Sequence, residues 1–125
     1  VQTVWESVTT EADILRAIRL ALGNEPDIVL WRLGSGVMKT PAGRVVRLGL
    51  NINGAADLIG ILAPGGRWFA LEVKCRGRLS REQRQWLALV QSMGGFATCI
   101  REQVPAEAAD AAHAALARAR AGESE

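Results

Sequence analysis

At 125 residues, 49% apolar and 22% charged, the chain has the length of one domain and can bury a core without a disulfide or metal staple. Its apolar fraction and four Trp exclude intrinsic disorder, no apolar run reaches the roughly 18 residues of a membrane span, and the N-terminus lacks a basic-then-apolar signal pattern. The formal net charge is only +2, yet residues 28–84 carry ten basic residues against Asp57, Glu72 and Glu82, while both flanks are net acidic.

A basic centre so poor in acids points to a polyanion, because Lys and Arg that displace phosphate counterions drive nucleic-acid binding. The plain alternative is a well-solvated sheet surface. Cys75 and Cys99 stand apart without a CxxC or Cys/His cluster, so no disulfide framework or zinc knuckle is expected and both read as small core residues. One soluble, intracellular domain spanning 1–125 is the expectation.

The first element is a helix, capped by Thr10 with Asp13 in a capping-box position and striped by Ile14, Leu15, Ile18 and Leu22. Gly23-Asn24 stops it. Ile28 to Leu33 reads as a short strand ending in Gly34-Ser35-Gly36, and a loop through Thr40-Pro41-Ala42-Gly43 leads to a strand over 44–50. Asn53-Gly54 signals a tight turn before a strand over 56–62, Pro64-Gly65-Gly66 turns the chain again, and 67–75 is the next strand. The runs 44–50, 56–62 and 67–75 are expected to form an antiparallel meander. Ser80 starts a second helix to Met93, with Glu82 or Gln83 near its third position and Trp86, Leu87 and Val90 on one face. Gly94-Gly95 ends it, 96–101 is a last strand, and Pro105 opens an alanine-rich helix to about Ala121. With the three strands of the meander alone counted before the second helix, the expected order is αβββαβα in a mixed α/β domain.

Two acids in the basic centre fall where packing alone would not place them. Asp57 opens an otherwise apolar strand, and a buried carboxylate without a partner is costly. Glu72 and Lys74 lie two apart on a strand, so they share one face while Leu71, Val73 and Cys75 take the other. The intervening hairpin can bring Asp57 alongside Glu72. Two carboxylates on neighbouring strands suit a hard divalent cation such as Mg²⁺. Beside a phosphodiester such an ion polarises the phosphoryl oxygen and acidifies water, and Lys74 could orient that water and balance transition-state charge. An exposed Glu/Lys pair with an unrelated Asp is the plain alternative.

Gly54-Ala55-Ala56-Asp57-Leu58-Ile59-Gly60, then Glu72-Val73-Lys74, then Leu79-Ser80-x-x-Gln83-x-x-Trp86-Leu87 resembles the PD-(D/E)XK nuclease superfamily, and within it the small stand-alone bacterial and phage form of the VRR-NUC family. The likeness runs from the helix of Glu11 to Ile100. It implies a restriction-endonuclease-like core and hydrolysis of DNA phosphodiesters with Mg²⁺ or Mn²⁺. The implied substrate is branched DNA such as a four-way, Holliday-type junction, and the implied state is a homodimer in the cytoplasm of a bacterium or phage-infected cell. Carried over by position, Asp57, Glu72 and the main-chain carbonyl of Val73 would ligate the metal, and Lys74 would be the catalytic lysine. Gln83 would position water or a phosphate, and Glu11 would be the acid of the first helix that approaches the metal. Ala56 stands where the family often has Pro, a position that mainly shapes the backbone. A catalytically inactive DNA-binding module of the same fold, or a nuclease for flaps or duplex ends, are the alternatives.

Six basic residues are read as DNA contacts: Arg32, Lys39 and Arg44 around the first loop, and Arg76, Arg78 and Arg81, beside Arg84, around the start of the second helix, whose free N–H groups favour anions; solvated charges on a turn are the plain alternative for about two of these last four. Gly34-Ser35-Gly36-x-x-Lys39-Thr40 lacks the Gly directly before Lys-Thr that a nucleotide-binding loop needs. Trp68 shares a face with Ala70, Glu72 and Lys74, so it is expected either to flank the site or to pack under the first helix. His113 has no acid near it in sequence and reads as a surface residue. Either the first or the last helix could carry a dimer contact.

Overall fold

The computed structural model describes residues 9–33, 36–48, 54–74 and 76–125, and of residues 36–38 and 46–48 the backbone alone. Cys75, Asn53, Gly34, Ser35 and the end of the expected 44–50 strand lie outside the described residues. In chain order the elements are α1 (Glu11–Leu22), β1 (Ile28–Arg32), β2 (Gly36–Lys39), β3 (Val45–Leu48), β4 (Leu58–Leu62) and β5 (Arg67–Val73). They are followed by α2 (Arg81–Ser92), β6 (Phe96–Ile100) and α3 (Pro105–Arg120).

Helix α1 is closed reciprocally: Thr10 Oγ1 accepts from the Asp13 N–H at 3.2 Å, and the Thr10 N–H donates to Asp13 Oδ2 at 2.9 Å. Its stripe of Ile14, Leu15, Ile18 and Leu22 is buried, each side chain contributing roughly 1.5–3 kcal/mol by leaving water. The main sheet has the order β1-β4-β5-β6, antiparallel except for the parallel pair β5/β6 that the α2 crossover joins. The architecture is mixed α/β.

The expected meander is corrected. The partner of β4 on its far side is β1, while β3 pairs with β2 in a separate two-stranded ribbon. Five strands therefore precede α2, and the segment before Thr40, expected as loop, holds β2. The physical cause is a turn tight enough to pair its own flanks: the Thr40 N–H donates to the Arg44 carbonyl and the Gly43 N–H to the Thr40 carbonyl, both at 2.8 Å. Strand β1 can lie against β4 because Gly60 has no side chain there; a Cβ would stand 2.5 Å from the Val29 carbonyl oxygen.

The two faces of the sheet bury different sets. Ile28, Leu62, Phe69, Leu71, Val73, Phe96 and Ile100 pack against α1 and the small-residue stripe Ala108, Ala112, Ala115, Leu116 and Ala119 of α3. Phe69 and Phe96, partners across the parallel pair, stack with centroids 5.2 Å apart. Both helices thus bury their apolar stripes within the chain. On the other face α2 covers Ala56, Ile59, Ala70 and Ala97 with Trp86 and Leu87. Toward the edge of its cover Val29, Ile61 and Trp68 stand side by side across three strands and remain exposed, with Trp68 sharing a surface cavity with Trp86, Leu89 and Val90 of α2. Trp68 is therefore on the α2 side, not under α1, and it packs by Gly95 rather than by Glu72.

Charge closes the far end of the molecule. Arg67 donates to the carbonyls of Gly94, Ala119 and Glu123, so one guanidinium ties the turn after α2 to the end of α3 and the tail. Arg120 pairs with Glu25 and Asp27, and His113 Nδ1 lies 3.6 Å from Glu25 Oε1. His113 is exposed as expected, but it does have an acid beside it, supplied by the turn after α1. No helix among the described residues is long and apolar enough to cross a membrane.

Candidate functional site

The β4–β5 ladder ends with Leu58 opposite Leu71, and one step further Asp57 comes opposite Glu72. Two local features hold Asp57 there. Its carbonyl accepts from the Leu33 N–H at 2.8 Å, and its Oδ2 accepts from the Val73 N–H at 2.8 Å. It is half-buried in the bend before β4, not inside the strand. The buried acid is Glu72, only 4% exposed. Leu71 and Val73 point into the α1/α3 core, so the alternation of β5 turns Glu72 toward α2.

The first turn of α2 meets Glu72 there. Gln83 Nε2 donates to Glu72 Oε1 at 3.2 Å, while Gln83 Oε1 accepts from the Ser80 N–H at 2.8 Å and Ser80 Oγ from the Gln83 N–H at 3.1 Å. The turn is seated by Gly54, whose φ is +83° and whose absent Cβ would lie 2.3 Å from the carbonyl of Glu82. Glu72 Oε2 is buried with no hydrogen-bond partner, alone among the described residues. Desolvation raises the Glu72 carboxyl well above the ordinary carboxylate range, the nearby Asp57 carboxylate adds to that by its charge and by offering an acceptor to the protonated form, Lys74 opposes it and Glu11 adds a little more. A carboxylate in this state calls for a proton or a cation.

Lys74 follows directly after β5, half-exposed, its N–H donating to the Ile100 carbonyl at 3.0 Å. Glu11 is exposed at the start of α1 and acts on Glu72 through its charge. Asp57, Glu72, Lys74, Gln83 and Glu11 are thus gathered around one end of β5. Among the described residues no group of three or more His, Cys, Asp or Glu is assembled to hold a metal ion through side chains alone. Arg76, Arg78 and Arg81 are exposed on the segment from β5 into α2, and Arg32 is exposed at the end of β1, next to the Leu33 that bonds Asp57. Lys39 and Arg44 are exposed on the β2–β3 ribbon, whose contacts are chiefly between its own strands. Arg84 differs: its Nη1 donates to the Leu79 carbonyl at 2.8 Å and braces the same turn.

One neighbour and one contact escape a reading of the sequence. Cys99 is the register partner of Glu72 across β5/β6, half-buried rather than a core residue, its thiol pushed up chiefly by burial. The Gln83–Glu72 bond joins residues eleven apart across an irregular turn, so the sequence places Gln83 near the site but not against Glu72. A surface cavity of about 550 Å³ lies at the opposite end of the β4–β5 ladder, around Leu62, Pro64, Arg67 and Ala119. Its two charged groups are both engaged, Arg67 with main-chain carbonyls and Arg120 with Glu25 and Asp27. No protein-family model matches the chain, and no curated protein matches it.

Proposed function

We propose that the chain is a divalent-metal-dependent endodeoxyribonuclease of the VRR-NUC kind, built on a PD-(D/E)XK core, that hydrolyses phosphodiesters in branched DNA. The observation that carries this reading is the buried, unpartnered Glu72 Oε2 set opposite Asp57, with Lys74 at the end of the same strand. The residues present fit a hard cation: an orphaned carboxylate oxygen with a second carboxylate beside it is relieved by positive charge. Asp57, Glu72 and the Val73 carbonyl would hold Mg²⁺ or Mn²⁺. When bound, the ion would supply polarisation of the phosphoryl oxygen and a more acidic water.

The chain's own groups do the rest. Lys74, half-exposed, reaches solvent from beside Glu72 and offsets charge developing on the phosphate. Arg76, Arg78 and Arg81 hold the backbone of the DNA near the start of α2, with Arg32 on the other side of Asp57 and Lys39 and Arg44 further out on the ribbon. Glu11 adds negative charge at the rim of the cation site. Cutting both strands of a four-way junction symmetrically requires two such sites related by a two-fold axis, so the active form is a homodimer.

The test is a matched panel of four-way junction, flap, nicked and linear duplex DNA with Mg²⁺, Mn²⁺ or chelator. Cation-dependent cleavage favouring the junction is the expected result. Salt-sensitive binding without cleavage under either cation would leave only an inactive DNA-binding module. Preference for flaps or duplex ends would replace the substrate.

A further inference from the structure

We infer that Gln83 is a positioning residue for Glu72, one whose single amide joins the cap of α2 to the candidate cation site; the inference rests on the cation-site reading above. Helix caps of this pattern use a Glu or Gln at the third position, because either can accept from the N-cap N–H. In this chain the oxygen end of the amide performs that task, accepting from Ser80 at 2.8 Å. The nitrogen end is then aimed outward and donates to Glu72 Oε1. A Glu at position 83 would serve the cap equally well but would present a second acceptor to an already desolvated carboxylate. The amide is therefore required by Glu72, not by the helix.

The geometry gives the amide little freedom. Its backbone is fixed by Ser80 Oγ, and the turn it belongs to is seated directly on the main chain of Gly54, three residues before Asp57. By occupying Oε1, Gln83 fixes which oxygen of Glu72 is left without a partner, and that oxygen is Oε2. Gln83 thus acts through Glu72 rather than on water or a phosphate. Partners that orient a metal-binding carboxylate typically matter about 10–100-fold in metal affinity.

The experiment compares Mn²⁺ binding by calorimetry for the wild-type chain, Gln83→Met and Ser80→Ala, each with a metal-free melting curve. Both variants weaken the cap of α2 and lower the melting temperature. Only Gln83→Met is expected to weaken Mn²⁺ binding, by about tenfold or more, whereas Ser80→Ala, which keeps the backbone N–H that anchors the amide, stays within about twofold of wild type. Equal losses of affinity in the two variants, or no loss in Gln83→Met, would overturn the proposal. A second readout is independent of the cation: the side-chain NH₂ signals of Gln83 in a ¹H–¹⁵N spectrum should be displaced and slow to exchange, and should return to ordinary positions in Glu72→Ala. Signals that ignore Glu72→Ala would overturn the positioning role. Wild-type protein that shows the anchored amide but binds no Mn²⁺ would bear out the contact and sink the cation-site reading instead.

Discussion

The main-chain N–H of Val73 donates to Asp57 Oδ2 at 2.8 Å, tying the carboxylate at the head of β4 to the strand that carries Glu72. The bond continues the β4–β5 ladder with a side chain where the backbone pairing stops. Asp57→Asn keeps an acceptor for Val73, so its metal-free stability should stay within about 1 kcal/mol of wild type. Asp57→Ala leaves the N–H without that acceptor and should cost about 1–3 kcal/mol. Urea denaturation of the two variants measures the difference; equal stabilities would mean the bond contributes nothing.

Glu72 sets the sign of the pH dependence. Its folded-state carboxyl is raised by burial and by Asp57 from the ordinary value of 4.5 to about 9, so between those limits the folded chain holds a proton that the unfolded chain has released. Stability is then fully present below the ordinary carboxylate range and is lost as pH rises toward the folded value. Above the acid range in which Asp13 and Asp27, both held below the ordinary carboxylate value by their hydrogen bonds, become ionised, metal-free melting temperatures should fall toward mildly alkaline solution. Glu72→Gln, which mimics the protonated form, should flatten that fall and be the more stable protein at the alkaline end. A divalent cation should protect wild type increasingly as pH rises and should not protect Glu72→Gln. A wild-type curve that rises with pH above that range would contradict this assignment.

Gly54 and Gly43 separate two costs. Both have positive φ, but a Cβ at Gly43 meets nothing within 4 Å, whereas one at Gly54 collides with the main chain of Glu82 and Gln83. Gly43→Ala should cost about 1 kcal/mol, the backbone strain alone. Gly54→Ala should cost about 3 kcal/mol, because α2 must lift off the loop that leads to Asp57. Chemical denaturation of the pair gives both values, and equal costs would show that the close approach is absent.

The exposed arginines should behave as phosphate contacts. Replacing Arg76, Arg78 or Arg81 by Ala should weaken DNA binding similarly across sequences, and each replacement should reduce the salt slope by about 1. Arg67→Ala provides the contrast, since its guanidinium is engaged with three carbonyls. That variant should lose stability while keeping the salt slope. Fluorescence anisotropy over a salt series reads both.

What could be read in advance followed from short-range rules. The two-residue spacing of Glu72 and Lys74 and a hairpin of ordinary length were enough to set Asp57 opposite Glu72. Both helix caps were visible because Thr10–Asp13 and Ser80–Gln83 are local patterns. Long-range choices were not visible. Nothing in Ile28–Arg32 announces that it, rather than Val45–Leu48, flanks β4; the choice is made by Gly60 admitting the backbone of Val29 and by the ribbon closing on itself. Likewise the acid beside His113 lies in a distant turn. Arg67 counted among the basic residues that suggested a polyanion, yet its partners are helix-end carbonyls that only the fold brings together. The basic centre is thus smaller than its charge count, while two of its three acids, Asp57 and Glu72, stand together.

The most direct measurement is the single-turnover rate of junction cleavage by wild type and Lys74→Met, with Mg²⁺ and with chelator. Wild type should cut only with the cation, and Lys74→Met should bind the same DNA while its rate falls by at least about a hundredfold, a loss of about 2.7 kcal/mol in transition-state stabilisation. Cleavage that persists in chelator, or a Lys74→Met rate equal to wild type, would contradict the proposed chemistry at Asp57, Glu72 and Lys74.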